Sequence, residues 1–282
     1  MSTENVSTQT VVFEGKRKAI SNKKKRLRAE FYKLTMIRLC ILVSTLLIWE
    51  FVSGRFVDKF WISSPTDIMK ALYGWAVSGE LLFHLSITVQ ETIFGFILGA
   101  LLGGIVGFVL GRWTYGAKIF EPFIMSLYSL PKIALAPLFI LWFGIGIEMK
   151  ILLAAITVFF LVFINTFAGV RNVEKELLEN IRIMGASERQ ITFKVVLPSA
   201  LTWILIGLRT SVPYALIGAV VGEITASNRG VGYLIQFSAG QYDTGGTFAA
   251  LIVLMLFAIC LNFTITSIIE KRFLRWKTQN SN

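Results

Sequence analysis

Four residues of this sequence combine useful chemistry with an apolar setting. Lys132 follows Pro131, Arg209 lies midway along the run Ala200–Gly222, Pro213 interrupts that run, and Glu223 closes it. In a bilayer core a charge costs about 2.5–3.5 kcal/mol on insertion scales unless it is paired or hydrated. Such a charge reads either as half of an internal ion pair or as a polar step on the path of a solute. For Arg209 a pair with Glu223, Glu91 or a backbone carbonyl is the simpler reading, and an anion in a pathway the sharper one. Lys132 has the same two readings, and Glu223, at the end of its run, suits a gate.

Catalysis has no comparable foothold. The sequence contains no HExxH, no GxSxG and no paired-carboxylate motif. Its single histidine, His84, falls between apolar runs and reads as a solvated loop residue. The two cysteines, Cys40 and Cys260, lie inside apolar runs, so neither a cysteine metal cluster nor a disulfide framework is expected. No GxxxxGK[ST] phosphate loop is present, and Gly15-Lys16-Arg17 is not one, so ATP cannot be handled by that device. Neither a metal nor a cofactor is expected.

The elements that must position these residues are membrane helices. Of 282 residues, 55% are hydrophobic and only 16% charged, whereas soluble domains carry about 25% charge. Six runs are long enough to cross a bilayer, which takes about 20 helical residues: Leu34–Val52, Val89–Leu110, Phe120–Gly146, Ile151–Val170, Ala200–Gly222 and Phe248–Ile269. Phe120–Gly146 is too long for one straight span and contains Pro131 and Pro137, so it reads as a broken helix or a helix with a re-entrant turn.

The net charge of +11 is unevenly spread. Basic residues crowd the segment before the first span (Lys16, Arg17, Lys18, Lys23, Lys24, Lys25, Arg26, Arg28, Lys33), the loop Arg171–Val196 and the tail after the last span. The alternate loops hold few. Cytoplasmic flanks carry the excess of Lys and Arg, which places both termini in the cytoplasm, as an even number of spans requires. The run Lys16–Arg28 beside a first span reads as a lipid-facing topogenic tail rather than a nucleic-acid site. The expected organisation is a basic tail over 1–34, a membrane domain over 35–270 with a cytoplasmic loop at 171–198, and a second tail over 271–282.

Two spans carry small residues at four-residue spacing: Gly95, Gly99, Gly103, Gly107 and Gly111 in the second, and Gly207, Ser211, Ala215, Gly218 and Gly222 in the fifth. Small residues let membrane helices approach closely. The spacing leaves open whether the partner helix belongs to the same subunit. Pro213 should bend its helix or free a carbonyl.

The loop Arg171–Val196 is charged yet patterned as helix. Leu177, Leu178, Ile181 and Met184 recur at three to four residues. Gly185 then reads as a C-terminal cap, and Ser187 with Gln190 as the capping box of a second helix. The expectation is helix, glycine turn, helix, lying outside the bilayer.

Here the sequence resembles a known family. Glu179-Asn180-Ile181, Gly185 and Val195-x-Leu197-Pro198 resemble the cytoplasmic Glu-Ala-Ala loop of ATP-binding-cassette (ABC) importer permeases, with the same spacing throughout; Asn180, Ile181 and Val195 depart from it in type. Ser129 to Leu138, Leu141 to Gly146, Ala219 to Glu223 and Gly230 to Ile235 resemble the permeases for nitrate, sulfonates and taurine. That group also takes thiamine-precursor pyrimidines and riboflavin.

The resemblance implies an all-α type I importer permease fold in the plasma (inner) membrane and a non-catalytic subunit of an ATP-driven importer for a small, anionic solute. It implies a second permease copy in a homodimer, two cytoplasmic ATPase subunits and an extracytoplasmic solute-binding protein. The coupling loop would comprise Glu179, Asn180, Gly185, Ala186, Ser187, Leu197 and Pro198. A pyrimidine or riboflavin permease is the alternative cargo. A stand-alone channel or secondary transporter, which would not need such a loop, and a membrane enzyme, which would need catalytic residues that the sequence lacks, are the alternative classes.

Overall fold

The charge-free run Ile151–Val170 becomes the axis of the fold. In the computed structural model, residues 28–268 are described with their side chains and helical backbone extends to Glu4 and Phe273. Expectations on the basic run before Arg28 and on the C-terminal tail lie outside the described residues. Two compact units, Met1–Thr66 and Asp67–Asn282, divide the chain.

The first unit is helix α1 (Glu4–Val52) and a short return. Ser53 Oγ donates to the Ile62 carbonyl at 2.8 Å, and the carboxylate of Glu50 accepts from the Thr66 backbone at 3.0 Å. The second unit runs α2 (Pro65–Ser78), α3 (Glu80–Arg112), α4 (Thr114–Ser129), a 3-10 turn (Lys132–Leu135), α5 (Ala136–Phe143), α6 (Ile147–Arg171), α7 (Lys175–Ile183), α8 (Glu188–Ile191), a π turn (Thr192–Val196), α9 (Leu197–Thr225), α10 (Val231–Gly240) and α11 (Thr244–Phe273). Among the described residues every regular element is helical.

Both small-residue stripes face α6. On α3, a side chain at Gly107 would put its Cβ 2.7 Å from the Phe163 carbonyl oxygen, and one at Gly111 2.8 Å from Val170. On α9, a Cβ at Gly218 would come within 2.6 Å of the Ala154 Cα, and one at Gly207 within 2.8 Å of Asn165. Glycine backbone therefore meets the backbone and Cβ atoms of α6 with nothing between, on both sides of one helix. The stripes are consumed within the chain and give no argument for a dimer. Van der Waals packing of this kind holds membrane helices together where lipid offers no hydrophobic drive.

The expected broken span is present. Leu130 is extended, with ψ 135°, because the residue before a proline is disfavoured in the helical region. The helix restarts with Pro137 in the first turn of α5, where a missing N–H costs nothing. The axis turns by 85° between the two pieces. One element was not anticipated: α2 forms inside the loop between the first two spans, and Leu72 and Trp75 pack on Val231, Leu234, Ala250 and Val253 of α10 and α11.

Candidate functional site

The loop after α6 folds as its residue types dictate. The α7 carbonyls close in a glycine-capped turn: Ala186 N–H donates to the Ile181 carbonyl at 3.2 Å and Gly185 N–H to Arg182 at 2.9 Å. Gly185 takes φ +87°, a left-handed conformation that glycine adopts cheaply. Ser187 then caps α8. Its Oγ accepts from Gln190 N–H at 3.3 Å, and its own N–H donates to Gln190 Oε1 at 2.9 Å.

Leu178, Ile181 and Ala186 pack on Val170, Val173, Ile191, Val196 and Ala200. Met184, read from spacing as part of that stripe, instead points away, and it and Ile183 are each 84% exposed. Glu179, Asn180 and Ser187 are exposed beside them. Glu188 ties the turn to the end of α3, accepting from Arg182 Nε at 2.8 Å and from Arg112 at 3.0 Å. That pairing raises the Arg182 guanidinium above its ordinary value. Leu197 and Pro198 begin α9 directly after the π turn; Pro198 has no N–H to keep an ordinary helical register there.

A cavity of about 510 Å³ lies where the broken span meets α6 and α9. Lys132 lines it with Leu153, Thr157, Leu161, Tyr214 and Ile217. The Lys132 ammonium donates to the Tyr128 carbonyl at 2.5 Å and lies 4.5 Å from the centre of the Tyr128 ring. Pro213 immediately precedes Tyr214 and removes the N–H that would meet the Arg209 carbonyl one turn earlier. α9 nevertheless remains one helix. Arg209 is half-buried and is not among the cavity's lining residues.

Glu223 is elsewhere. It is 14 residues beyond Arg209 on α9, about 21 Å at 1.5 Å per residue, so the two cannot pair within the helix. Glu223 is instead enclosed with Thr88 and Glu91 of α3 and Lys150 of α6. It accepts from Thr88 Oγ1 at 2.6 Å and from Gly232 N–H at 2.7 Å. Thr88 Oγ1 in turn accepts from Val231 N–H at 2.9 Å. Lys150 Nζ lies 3.5 Å from Glu91 and donates to Ser227 Oγ at 2.6 Å. His84 is buried rather than solvated: its Nδ1 accepts from Gly230 N–H at 3.0 Å, and its ring stacks on Tyr233.

Sequence reading thus found Glu223 and missed Lys150, Thr88 and His84 as its company. The available signal was an acid, Glu91, just inside one apolar run and a base, Lys150, just before another. Among the described residues no cluster of three or more acidic, His or Cys side chains could hold a metal.

An all-helical chain with this many apolar spans, a kinked span beside a cavity and a capped helical loop at one end is a polytopic membrane protein of the transport class. Residues 75–275 match the family described as "binding-protein-dependent transport system inner membrane component". The chain belongs to that family, and is a permease subunit of an ABC importer.

It is 35% identical to the putative aliphatic sulfonates transport permease SsuC of Bacillus subtilis, over 82% of this chain and 83% of that one. It is 32% identical to the formylaminopyrimidine transport permease ThiX of Halalkalibacterium halodurans, over 82% and 92%. It is 34% identical to the riboflavin transport system permease RibX of Chloroflexus aurantiacus, over 77% and 81%. Its fold is similar to a chain of the inward-facing methionine ABC transporter MetNI, with TM-score 0.55 and 20% identity over 71% of this chain and 97% of that one.

Proposed function

We propose that this permease works as a homodimer, driven by two cytoplasmic ATPase subunits and fed by an extracytoplasmic binding protein, and that it imports a small organic anion. Both termini and the α7–α8 turn face the cytoplasm in this reading, and the Glu223 cluster faces outward. The observation that carries it is the turn at Gly185. Ile183 and Met184 project as two exposed apolar knobs from a turn whose other side is anchored by Leu178, Ile181 and Ala186. Such a tip suits insertion into a groove of a partner, with Glu179, Asn180 and Ser187 at its rim. Force on the tip would reach α9 through Leu197 and Pro198.

The charge excess on the α7–α8 side supports the orientation. Lys132 and the sulfonate permeases among the relatives support an anion. The pathway is assigned to the face of α9 that carries Pro213 and Tyr214, with Lys132 across the cavity, Arg209 below it and Glu223 at the outer gate. The pyrimidine and riboflavin permeases of similar identity support a heterocycle as the second reading.

The test is co-expression with candidate ABC ATPase subunits from the same organism. Wild type should co-purify with it, and Gly185→Val should lose it or hydrolyse ATP without transport while still inserting normally. Normal ATPase capture and normal uptake by Gly185→Val would remove the turn from the coupling path. Arg209 acts through packing or hydration rather than solute contact in this reading, so Arg209→Lys should impair assembly or transport, because an ammonium lacks the guanidinium's planar fork. Normal transport by Lys, together with selective loss of anion uptake in a neutral variant, would instead assign Arg209 to the solute.

A further inference from the structure

We propose that the cavity at the break of the α4–α5 span is a binding site for a compact organic monoanion with an apolar body, and that Lys132 is its charge-selecting residue. The inference rests on the permease reading above and deepens it.

Three observations converge on Lys132. The first is its electrostatic surroundings. Among the described residues no carboxylate pairs with it; its ammonium donates to the carbonyls of Tyr128 at 2.5 Å and Leu130 at 3.4 Å. These belong to the C-terminal end of α4, where a helix end carries about half a negative charge. A full positive charge set against that half leaves the site positive. The rings of Tyr128 and Phe160, at 4.5 and 5.2 Å, steady the ammonium without neutralising it.

The second is donor capacity. An ammonium has three N–H donors, and the backbone takes two, one of them at a weak 3.4 Å. At least one donor remains for a ligand oxygen.

The third is the room beside it. The cavity, of about 510 Å³, lies within the range of small-molecule sites, about 300–1,000 Å³. Its walls are Leu153, Leu161 and Ile217, with Thr157 and the two tyrosines contributing the polar edges. Thr157 donates its hydroxyl proton to the Leu153 carbonyl at 2.7 Å, which leaves the Lys132 ammonium to hold the anion's charge. One cation at one end and hydrocarbon along the sides describe a sulfonate or carboxylate on a short carbon chain. A dianion would leave one charge among apolar walls, and a cation would meet Lys132.

The local chain explains why the site sits here. The 85° turn at Leu130–Pro131 ends α4 beside Phe160 of α6 and frees its last carbonyls. In a membrane, non-helical backbone is tolerated where protein or a polar cavity satisfies it. Lys132 does that and holds charge in reserve.

The test uses Cys40→Ser/Cys260→Ser full-length permease in lipid nanodiscs with a single new cysteine at Thr157, and separately at Ile217. Each is labelled with an anionic (ethylsulfonate) and a cationic (ethyltrimethylammonium) methanethiosulfonate, normalised to free cysteine. Since a cleft of one charge sign concentrates counter-ions by about 10- to 1,000-fold, the anionic reagent should be favoured at least about tenfold. The preference should persist in Lys132→Arg and vanish in Lys132→Met. Butanesulfonate should slow labelling where butanol does not.

Equal rates for the two reagents, an unreactive cysteine at both positions, or an undiminished preference in Lys132→Met would each overturn the proposal. The importer reading fails separately, by loss of ATPase capture in wild type. Selectivity without ATPase capture would leave an anion site in a different machine, and ATPase capture without selectivity would leave an importer whose solute is held elsewhere.

Discussion

The two ends of the α3–α6–α9 bundle are held by opposite chemistry. Where α3 and α6 begin, Glu91, Glu223, Lys150, Thr88 and His84 are enclosed; Glu223, Thr88 and His84 bond to the backbone of Gly230–Gly232, and Glu91 meets Lys150 at 3.5 Å. Where α6 ends, the polar contacts of Ser187, Glu188 and Arg182 are on the surface, and apolar packing of Leu178, Ile181 and Ala186 does the anchoring. A buried ion is costly to strand, so the first end should answer sharply to single substitutions. Exposed ions are screened and compete with water, so the second should answer to changes of backbone shape instead. On the proposed coupling role, an end that engages a partner repeatedly is better built the second way.

The largest effect should come from Lys150→Met. It leaves the Glu91 carboxylate enclosed without its counter-ion and should cost about 3–5 kcal/mol. Thermal unfolding of the purified permease measures this, and Glu91→Leu added to Lys150→Met should restore much of the loss. No restoration would mean that the pair matters for more than its charge. Next, Gly185→Val should cost about 1–2 kcal/mol per forced left-handed residue. Space is not the obstacle, since a Cβ at Gly185 would meet nothing within 4 Å. Gly185→Asn should therefore retain more ATPase capture than Gly185→Val, and equal losses would point to bulk at the tip.

Ser187→Ala should be smaller, about 1 kcal/mol for a lost N-cap, read as faster amide exchange in α8 with the bundle unchanged. Least of all, Glu188→Gln should leave thermal stability nearly unmoved, and any effect should fade as salt is raised. A large salt-independent loss would show that the two ends are less different than their exposure implies.

The same contrast decides what was legible in the sequence. The α7–α8 loop could be read almost residue by residue, because caps and glycine turns are set by neighbours within a few positions. Gly185, Ser187 and Gln190 carry their geometry locally. The break at Pro131 and Pro137 was equally local. The Glu223 cluster could not be read this way: Thr88, Lys150 and Glu223 come from three helices far apart in the chain, and no spacing rule connects them. His84 was misread for the same reason, since its burial depends on Gly230 and Tyr233. The stripe on α3 showed that a close partner existed, and only the fold identified it as α6. Met184 failed from the opposite cause: the periodicity was real, but the helix ended before that position could turn inward.

The enclosure of α6 also has a consequence for how the protein is made. α3 emerges from the ribosome well before α6, with the whole broken span between them. At about 5–20 residues per second, the glycine face of α3 waits a few seconds with no surface it fits. α9 arrives after α6 and finds its groove ready. Biogenesis therefore has one vulnerable interval, between the second and fourth spans, during which the nascent chain needs the insertion machinery to shelter it. A translational pause just after Arg171 would lengthen that interval, because α6 is then still inside the ribosomal exit tunnel while α3 has left it; a pause just after Arg112, with α3 itself still inside, would not.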